Sequence, residues 1–441
     1  MVVPLDSALN IAFPAITAHF GLALPAIQWL VICYVLTYGS LMLGIGRLGD
    51  IFGHALVFRI GLGWSALAYL LCSWAPGYEW LLACRVLQGI GAALVIGCGP
   101  ALVTGWFPEA LRPRVLGLYT LIFALGSVLG PLLGGWLVAR WGWEAVFWFR
   151  TPVALAGLLL LRGAATTRPA GPRESFDLPG AALLALAVGS LLLGINRLAA
   201  NGLTSGLAAL PLLAVFAVAI TMFFRRSRRV ERPVIATHYF RLPGFAALSL
   251  ANALANLAGF AVLLFVPYYL TRIAALPTGL AGLVLAASPA GTMLAAAPGG
   301  WLLGRVPARR LVGLGIGLIG LGLGSMACWG AATPLALVVP ALLLHGAGLG
   351  LLQVSYTDSV IATLPRQDRG VAGSLAMMTR TLGVVTAASL LTLAFGAMEA
   401  AALAGGAAPP AAFLDAFRGS FALAAAIPAV LLLASLLTRR G

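Results

Sequence analysis

Apolar residues along this chain run in stretches of about twenty, broken by short segments carrying Gly, Pro and Arg. Read against those breaks, the apolar stretches fall at 1–19, 27–46, 56–75, 79–103, 115–139, 143–162, 178–197, 205–224, 244–271, 277–303, 309–331, 334–360, 371–397 and 417–438. Stretches this long with so few charges match the hydrocarbon thickness of a bilayer, whereas helices packed inside soluble domains are shorter and one-sided. The pattern therefore predicts an all-α polytopic membrane protein of fourteen spans.

The polar breaks orient those spans. Arg47, Arg59, Arg112, Arg114, Arg162, Arg168, Arg173, Arg225, Arg226, Arg228, Arg229, Arg232, Arg241, Arg305, Arg309, Arg310, Arg366, Arg369, Arg439 and Arg440 fall on one side if the breaks alternate, and only Arg140, Arg197, Arg272 and Arg418 on the other. The richer side is the cytoplasmic one, which puts both termini in the cytoplasm of a plasma (inner) membrane protein. Two Arg-bearing connections, 162–179 and 225–241, bracket a helix pair and divide the chain into an N-terminal six-helix half (1–162), a central linker with two extra spans (163–243) and a C-terminal six-helix half (244–441). A weak internal repeat agrees: GRLGDIFGHAL (Gly46–Leu56) follows the second span and GWLLGRVPARRL (Gly300–Leu311) the tenth, with Gly304 where the first copy has Asp50.

Composition narrows the function classes. Of 441 residues, 61% are hydrophobic and 9% charged, against about 25% charged in an ordinary soluble domain, so a water-soluble enzyme or binding module is excluded. The net charge of +15 does not indicate a nucleic-acid partner, because all 27 basic residues are Arg placed by membrane topology. Cys33, Cys72, Cys84, Cys98 and Cys328 sit in apolar runs with no CxxC spacing, and read as small buried hydrophobes rather than a disulfide framework or metal site. No HExxH, GxSxG or P-loop string is present, so no catalytic residue, metal or cofactor is expected and the chain is not read as an enzyme.

Three strings carry more than hydropathy. Gly46, Asp50 and Gly53 form a tight connection in which a carboxylate can latch onto a neighbouring helix end or a cytoplasmic Arg, with Arg59 or Arg112 as the candidate charge partner. In the fourth span, Arg85 lies well inside the apolar stretch with Gln88, Gly89 and Gly91. A cation there costs about 2.5 to 3.5 kcal/mol and needs a partner or a wet cavity. In the fifth, GSVLGPLLGG places Gly126, Gly130 and Gly134 on one face, with Pro131 bending the helix and Gly135 beside it.

Together these strings resemble the signature motifs of the major facilitator superfamily, and the glycine-proline string is similar to the motif of its proton-driven drug antiporters. Leu5, Asp6, Asn10, Ala12 and Pro14 resemble the first-span motif of the fourteen-helix branch, Trp29 and Tyr34 fit its second span, and Phe176, Asp177 and Gly180 open its central pair. The resemblance implies the major facilitator fold, two six-helix halves plus the central pair, and a small-molecule substrate exchanged for protons, with proton motive force as the energy source and no other cofactor. It implies a monomer embedded in the lipid bilayer. Departures are visible: His54 and Ala55 stand where the loop motif has basic residues, Ala8 replaces a Thr, Arg150 stands near a usual Asn, and fewer residues precede Asp6 than the family's first span normally has.

The residues suited to the chemistry follow. Asp6 is the one acidic residue of the first span, and withdrawing a carboxylate from water favours its neutral form, which suits a proton carrier. Arg85 and His345, a group that titrates near neutrality, join it as proton-coupling candidates. Tyr34, Tyr38, Gln88, Arg150, Asn252, Asn256 and Arg380 are candidates for the substrate cavity, and Asp358 is a possible ion partner for Arg380. Arg85, Arg150 and Arg380 outnumber Asp6 and Asp358, which suits an anionic or zwitterionic compound better than a cation. Export of drug-like compounds by proton antiport is the leading expectation. An uptake or lipid transporter of the same fold, and a transport-inactive sensor or scaffold, stand as alternatives.

Overall fold

The computed structural model describes residues 2–108, 111–161, 177–201, 209–230, 244–303, 305–363 and 369–437. Among them, every one of the fourteen apolar stretches contains a helix: α1 (Ala8–His19), α2 (Gln28–Phe52), α3 (His54–Ser73), α4 (Tyr78–Gly105), α5 (Arg112–Trp141), α6 (Ala145–Trp148) with α7 (Arg150–Leu160), α8 (Leu178–Asn201), α9 (Leu210–Ser227), α10 (Phe245–Tyr268), α11 (Thr278–Leu285) with α12 (Ala287–Leu302), α13 (Ala308–Ala327), α14 (Leu335–Thr363), α15 (Arg369–Ala404) and α16 (Pro409–Leu437). Ten helical segments among the described residues are long and apolar enough to cross a membrane by length and composition.

Irregularities have local causes. The sixth stretch is two short helices meeting at Phe149, because Pro152 in the first turn of α7 has no N–H to continue the ladder. The tenth breaks the same way at Ala286, ahead of Pro289. The first opens with a 3-10 turn (Pro4–Ser7), which leaves α1 only twelve residues. A π-helical turn (Tyr269–Ile273) follows Pro267 at the end of α10. Gly53 alone separates α2 from α3, with φ at 92°, a backbone region that glycine enters without steric cost.

The residues gather into two compact units. One holds Met1–Asp6, Trp29–Gly126 and Glu144–Arg241. In it α3 packs along α4, with Gly61 and Gly91 at the crossing: an added Cβ would lie 2.6 Å from Leu94 Cβ and 3.1 Å from Ser65 N, respectively. Asp177 opens the α8–α9 pair, its Oδ1 accepting from Gly180 N at 2.9 Å and from Arg226 Nε, at the end of α9, at 2.5 Å. The other unit holds Ser7–Gln28, Ser127–Trp143 and Leu242–Gly441, with α14 packed between α12 and α13 and an aromatic column of Phe265, Phe395, Phe413, Phe417, Phe421, Tyr269 and Trp329 at its centre. Both units turn large apolar side chains outward, such as Leu67, Leu121 and Val218 in the first and Leu250, Leu321 and Val430 in the second, as a lipid-facing surface requires.

Candidate functional site

Arg85 and Gln88, three residues apart, share one face of α4, and Gly89 lets that face close on α2: an added Cβ would lie 2.7 Å from Thr37 Cβ and 2.9 Å from the Tyr34 carbonyl oxygen. Arg85 is 1% exposed and every arm of its guanidinium is engaged. Its Nε donates to the Leu30 carbonyl at 2.9 Å, Nη1 to Asp6 Oδ1 at 2.9 Å and to Gln88 Oε1 at 2.8 Å, and Nη2 to Asp6 Oδ2 at 3.2 Å. Arg150, fully buried at the start of α7, reaches the same carboxylate: Nε donates to the Val146 carbonyl at 3.0 Å and Nη1 to Asp6 Oδ1 at 2.6 Å. Gln88 Nε2 adds a further donor to Oδ1 at 2.8 Å. Aromatic rings back both cations, Tyr34 lying 4.2 Å from Arg85 Cζ and Tyr69 4.3 Å from Arg150 Cζ.

Asp6 Oδ1 thus accepts from three donors while Oδ2 accepts from one, a geometry in which two guanidiniums converge on one carboxylate. The Asp6 side chain is 14% exposed, the one surface-reaching member of the ionic set. Four hydrogen bonds, from Arg85, Gln88 and Arg150, thus converge on this one carboxylate.

The structure therefore brings Asp6, Arg85, Gln88, Arg150 and Tyr34 into one cluster, whereas the sequence divides them between proton and cavity roles. Tyr38 is next to it, ring edge against Tyr34 at 5.1 Å. Tyr69 and the Leu30 and Val146 carbonyls went unrecognised in the sequence. A tyrosine in an apolar helix gives no sign of its cation until distant segments are placed.

The remaining candidates lie elsewhere, in the second unit. His345 is buried, its Nδ1 3.0 Å from Ser288 Oγ, and its ring fits because Gly259 faces Nε2: an added Cβ there would come to 2.9 Å. Asn252 donates to Thr379 Oγ1 at 2.9 Å, Asn256 to the Asn252 carbonyl at 2.8 Å, and Thr379 to Tyr356 at 3.3 Å, a buried chain of hydrogen bonds that ties α10, α14 and α15 together. Arg380 and Asp358 are both exposed.

In the glycine-proline string, Gly126 is buried in α5, an added Cβ at Gly134 would lie 2.8 Å from the Ala8 carbonyl oxygen, and one at Gly135 2.6 Å from that of Thr278 and 3.0 Å from Gly282 Cα. An added Cβ at Gly282 would in turn overlap the Pro131 carbonyl oxygen. The string thus seats α1 on one face and α11 on another. Of the latch candidates, Gly46 and Asp50 belong to the α2 backbone and Arg112 opens α5, but the side chains of Asp50 and Arg112 lie outside the described residues.

Known proteins are similar to this chain in sequence and in fold. A riboflavin transporter (RibZ) of Clostridioides difficile is 26% identical over 377 residues, covering 85% of this chain and 81% of its own. A methylenomycin A resistance protein of Streptomyces coelicolor is 30% identical over 382 residues, covering 86% of this chain and 79% of its own. The crystal structure of a bacterial homologue of the human lysosomal transporter Spinster, inward-facing and unoccupied, superposes with a TM-score of 0.71 at 18% identity, covering 100% of this chain and 94% of its own, and so shares the fold. The profile of the Major Facilitator Superfamily matches residues 3–388, which span both units and the whole Asp6 cluster, and the chain belongs to that superfamily as a multi-pass membrane transporter, not an enzyme.

Proposed function

We propose that this chain is a proton-coupled secondary transporter that exports small organic compounds, drug-like ones among them, across the plasma (inner) membrane by alternating access, with protons as the exchanged ion. The observation that carries the coupling is the Asp6 carboxylate held by both Arg85 and Arg150. A titratable group whose partners are two side chains from different helices changes their arrangement when it takes a proton, which is what coupling requires. The membrane potential contributes about 2.3 kcal/mol per charge per 100 mV, and the pH gradient adds to it. Export is supported by the motif resemblance and by a relative named for antibiotic resistance. A second reading, uptake by proton cotransport, is favoured by a different feature of the same site: two guanidiniums face one carboxylate.

The test is made in inverted vesicles energised by respiration, with an interior pH dye and a panel of cationic, anionic and uncharged compounds. Exchange makes an added compound draw protons out of the acidified lumen, and Asp6→Asn, still inserted, abolishes that movement. Undiminished coupling in Asp6→Asn overturns the assignment, and proton movement in the opposite sense selects the cotransport reading.

A further inference from the structure

The charge of the cluster does not balance. The titratable and charged groups facing Asp6 are Tyr34 from α2, Tyr69 and Cys72 from α3, Arg85 from α4 and Arg150 from α7, with Gln88 between them. Two guanidiniums against one ionised carboxylate leave one net positive charge. A guanidinium cannot shed it. The two arginines are also unequally engaged: Arg85 uses Nε, Nη1 and Nη2, whereas Arg150 Nη2 is buried without a hydrogen-bond partner. A cation approaching this place meets two cations. An uncharged acceptor would satisfy Nη2 and leave the charge. A carboxylate answers both, because its two oxygens match the paired N–H groups of a guanidinium.

We infer that Arg150 is a subsite for an anionic group, of carboxylate type, on the transported compound. The inference rests on the reading that the Asp6 cluster is the transport site, whichever direction the compound moves. Asp6 engages Arg150 Nη1 and is the member of the ionic set that reaches the surface, so a ligand anion would reach Nη1 and Nη2 by taking the place of Asp6. A displaced carboxylate beside a second anion favours protonation. The cluster then carries the same net charge in two states: empty with Asp6 ionised, and loaded with both the anion and one proton on Asp6. Proton and acidic ligand therefore bind together, so the cluster favours cotransport for acidic compounds and leaves exchange to compounds without the anionic group.

Calorimetric titration of the full chain in lipid nanodiscs tests this, with a panel of aromatic and aliphatic monocarboxylates and their primary amides as probes. At least one carboxylate is expected to bind about 10- to 100-fold more tightly than its amide, the range for a hydrogen bond to a charged group. Titrations in buffers of different ionisation enthalpy should show proton uptake on binding. Arg150→Gln removes the preference, and Arg150→Lys keeps part of it. Asp6→Asn removes the competitor and tightens carboxylate binding, a gain that misfolding cannot imitate. The inference is overturned if no carboxylate is preferred to its amide, if Arg150→Gln keeps the preference, or if Asp6→Asn weakens it. Carboxylate binding without proton-driven flux would refute the transport reading and leave the subsite standing. Proton-driven flux indifferent to ligand charge would do the reverse.

Discussion

Pro131 makes a specific and measurable demand on the start of the chain. In a continuous helix the Ser127 carbonyl accepts from the N–H of residue 131, and proline has none. Ser7 Oγ supplies the donor instead, at 3.0 Å from that oxygen, and it fits because Gly130 has no side chain: an added Cβ would overlap Ser7 Oγ and lie 2.9 Å from Ala8 N. Ser7→Ala takes this donor away from the carbonyl, which costs about 1–3 kcal/mol for a buried group. In a Pro131→Ala background the restored N–H takes over, and the cost of Ser7→Ala falls to within about 0.5 kcal/mol of zero, the usual limit of additivity. Unfolding of the four proteins in mixed micelles, followed by tryptophan fluorescence, gives the coupling energy directly. Gly130→Ala, which pushes Ser7 away, should resemble Ser7→Ala and add little to it. Equal costs of Ser7→Ala in the native protein and in the Pro131→Ala background would refute the reasoning, because the hydroxyl would then have some role other than replacing the missing amide.

Further outcomes follow from the same close contacts. Gly135→Ala places a methyl against the backbone of Thr278 and Gly282 and should destabilise the α5–α11 seam by about 1–3 kcal/mol, while Gly279→Ala, with nothing within 4 Å, should be neutral or slightly stabilising; thermal midpoints in detergent compare the two. Thr17 donates to the Phe13 carbonyl at 2.7 Å, so the 2.6 Å contact with Tyr268 must be donated by the tyrosine. Thr17→Val strands a buried hydroxyl donor and should cost more than Tyr268→Phe, which leaves only an acceptor unmet; the same thermal assay ranks them. Reporter fusions after Arg173 and after Arg232 should both read cytoplasmic if the Arg-rich connections flank a central helix pair, and opposite sidedness would break the six, two, six arrangement.

Much of the fold was legible because a bilayer imposes one rule on every span. Twenty apolar residues need no partner to announce themselves, so each of the fourteen stretches holds a helix, and the local breaks fall where proline acts, as at Phe149 and Ala286. The site was legible in its members rather than in its assembly. Asp6, Arg85 and Arg150 each stand out as a charge inside an apolar run, but 79 residues separate the first pair and 144 the second, and no periodicity spans that distance. Asn252 and Asn256 show the converse. Amides in a span are as well suited to a cavity as to a helix contact, and here they are bonded to Thr379 and to each other, which is packing chemistry. His345 is similar, its ring accommodated by Gly259 and Ser288 at a distance in sequence that hides both.

Stability accounts for one of the two arginines and not for the other. A lone Asp6 inside a membrane protein would be costly, and Arg85, with all three guanidinium nitrogens hydrogen-bonded and Tyr34 against its face, compensates it: one charge against one charge. Adding Arg150 to that pair brings a further cation into a region where insertion costs about 2.5–3.5 kcal/mol, and the contact it makes is to an oxygen already accepting two hydrogen bonds. Its Nη2 gains nothing. Tyr69 and the Val146 carbonyl hold the guanidinium in place, so the surplus charge is positioned rather than incidental. Burying a charge that the resting protein does not neutralise makes physical sense where something else neutralises it during the cycle. Arrival of an anion is the event able to do so at this site, whereas a proton on Asp6 alone would add to the surplus.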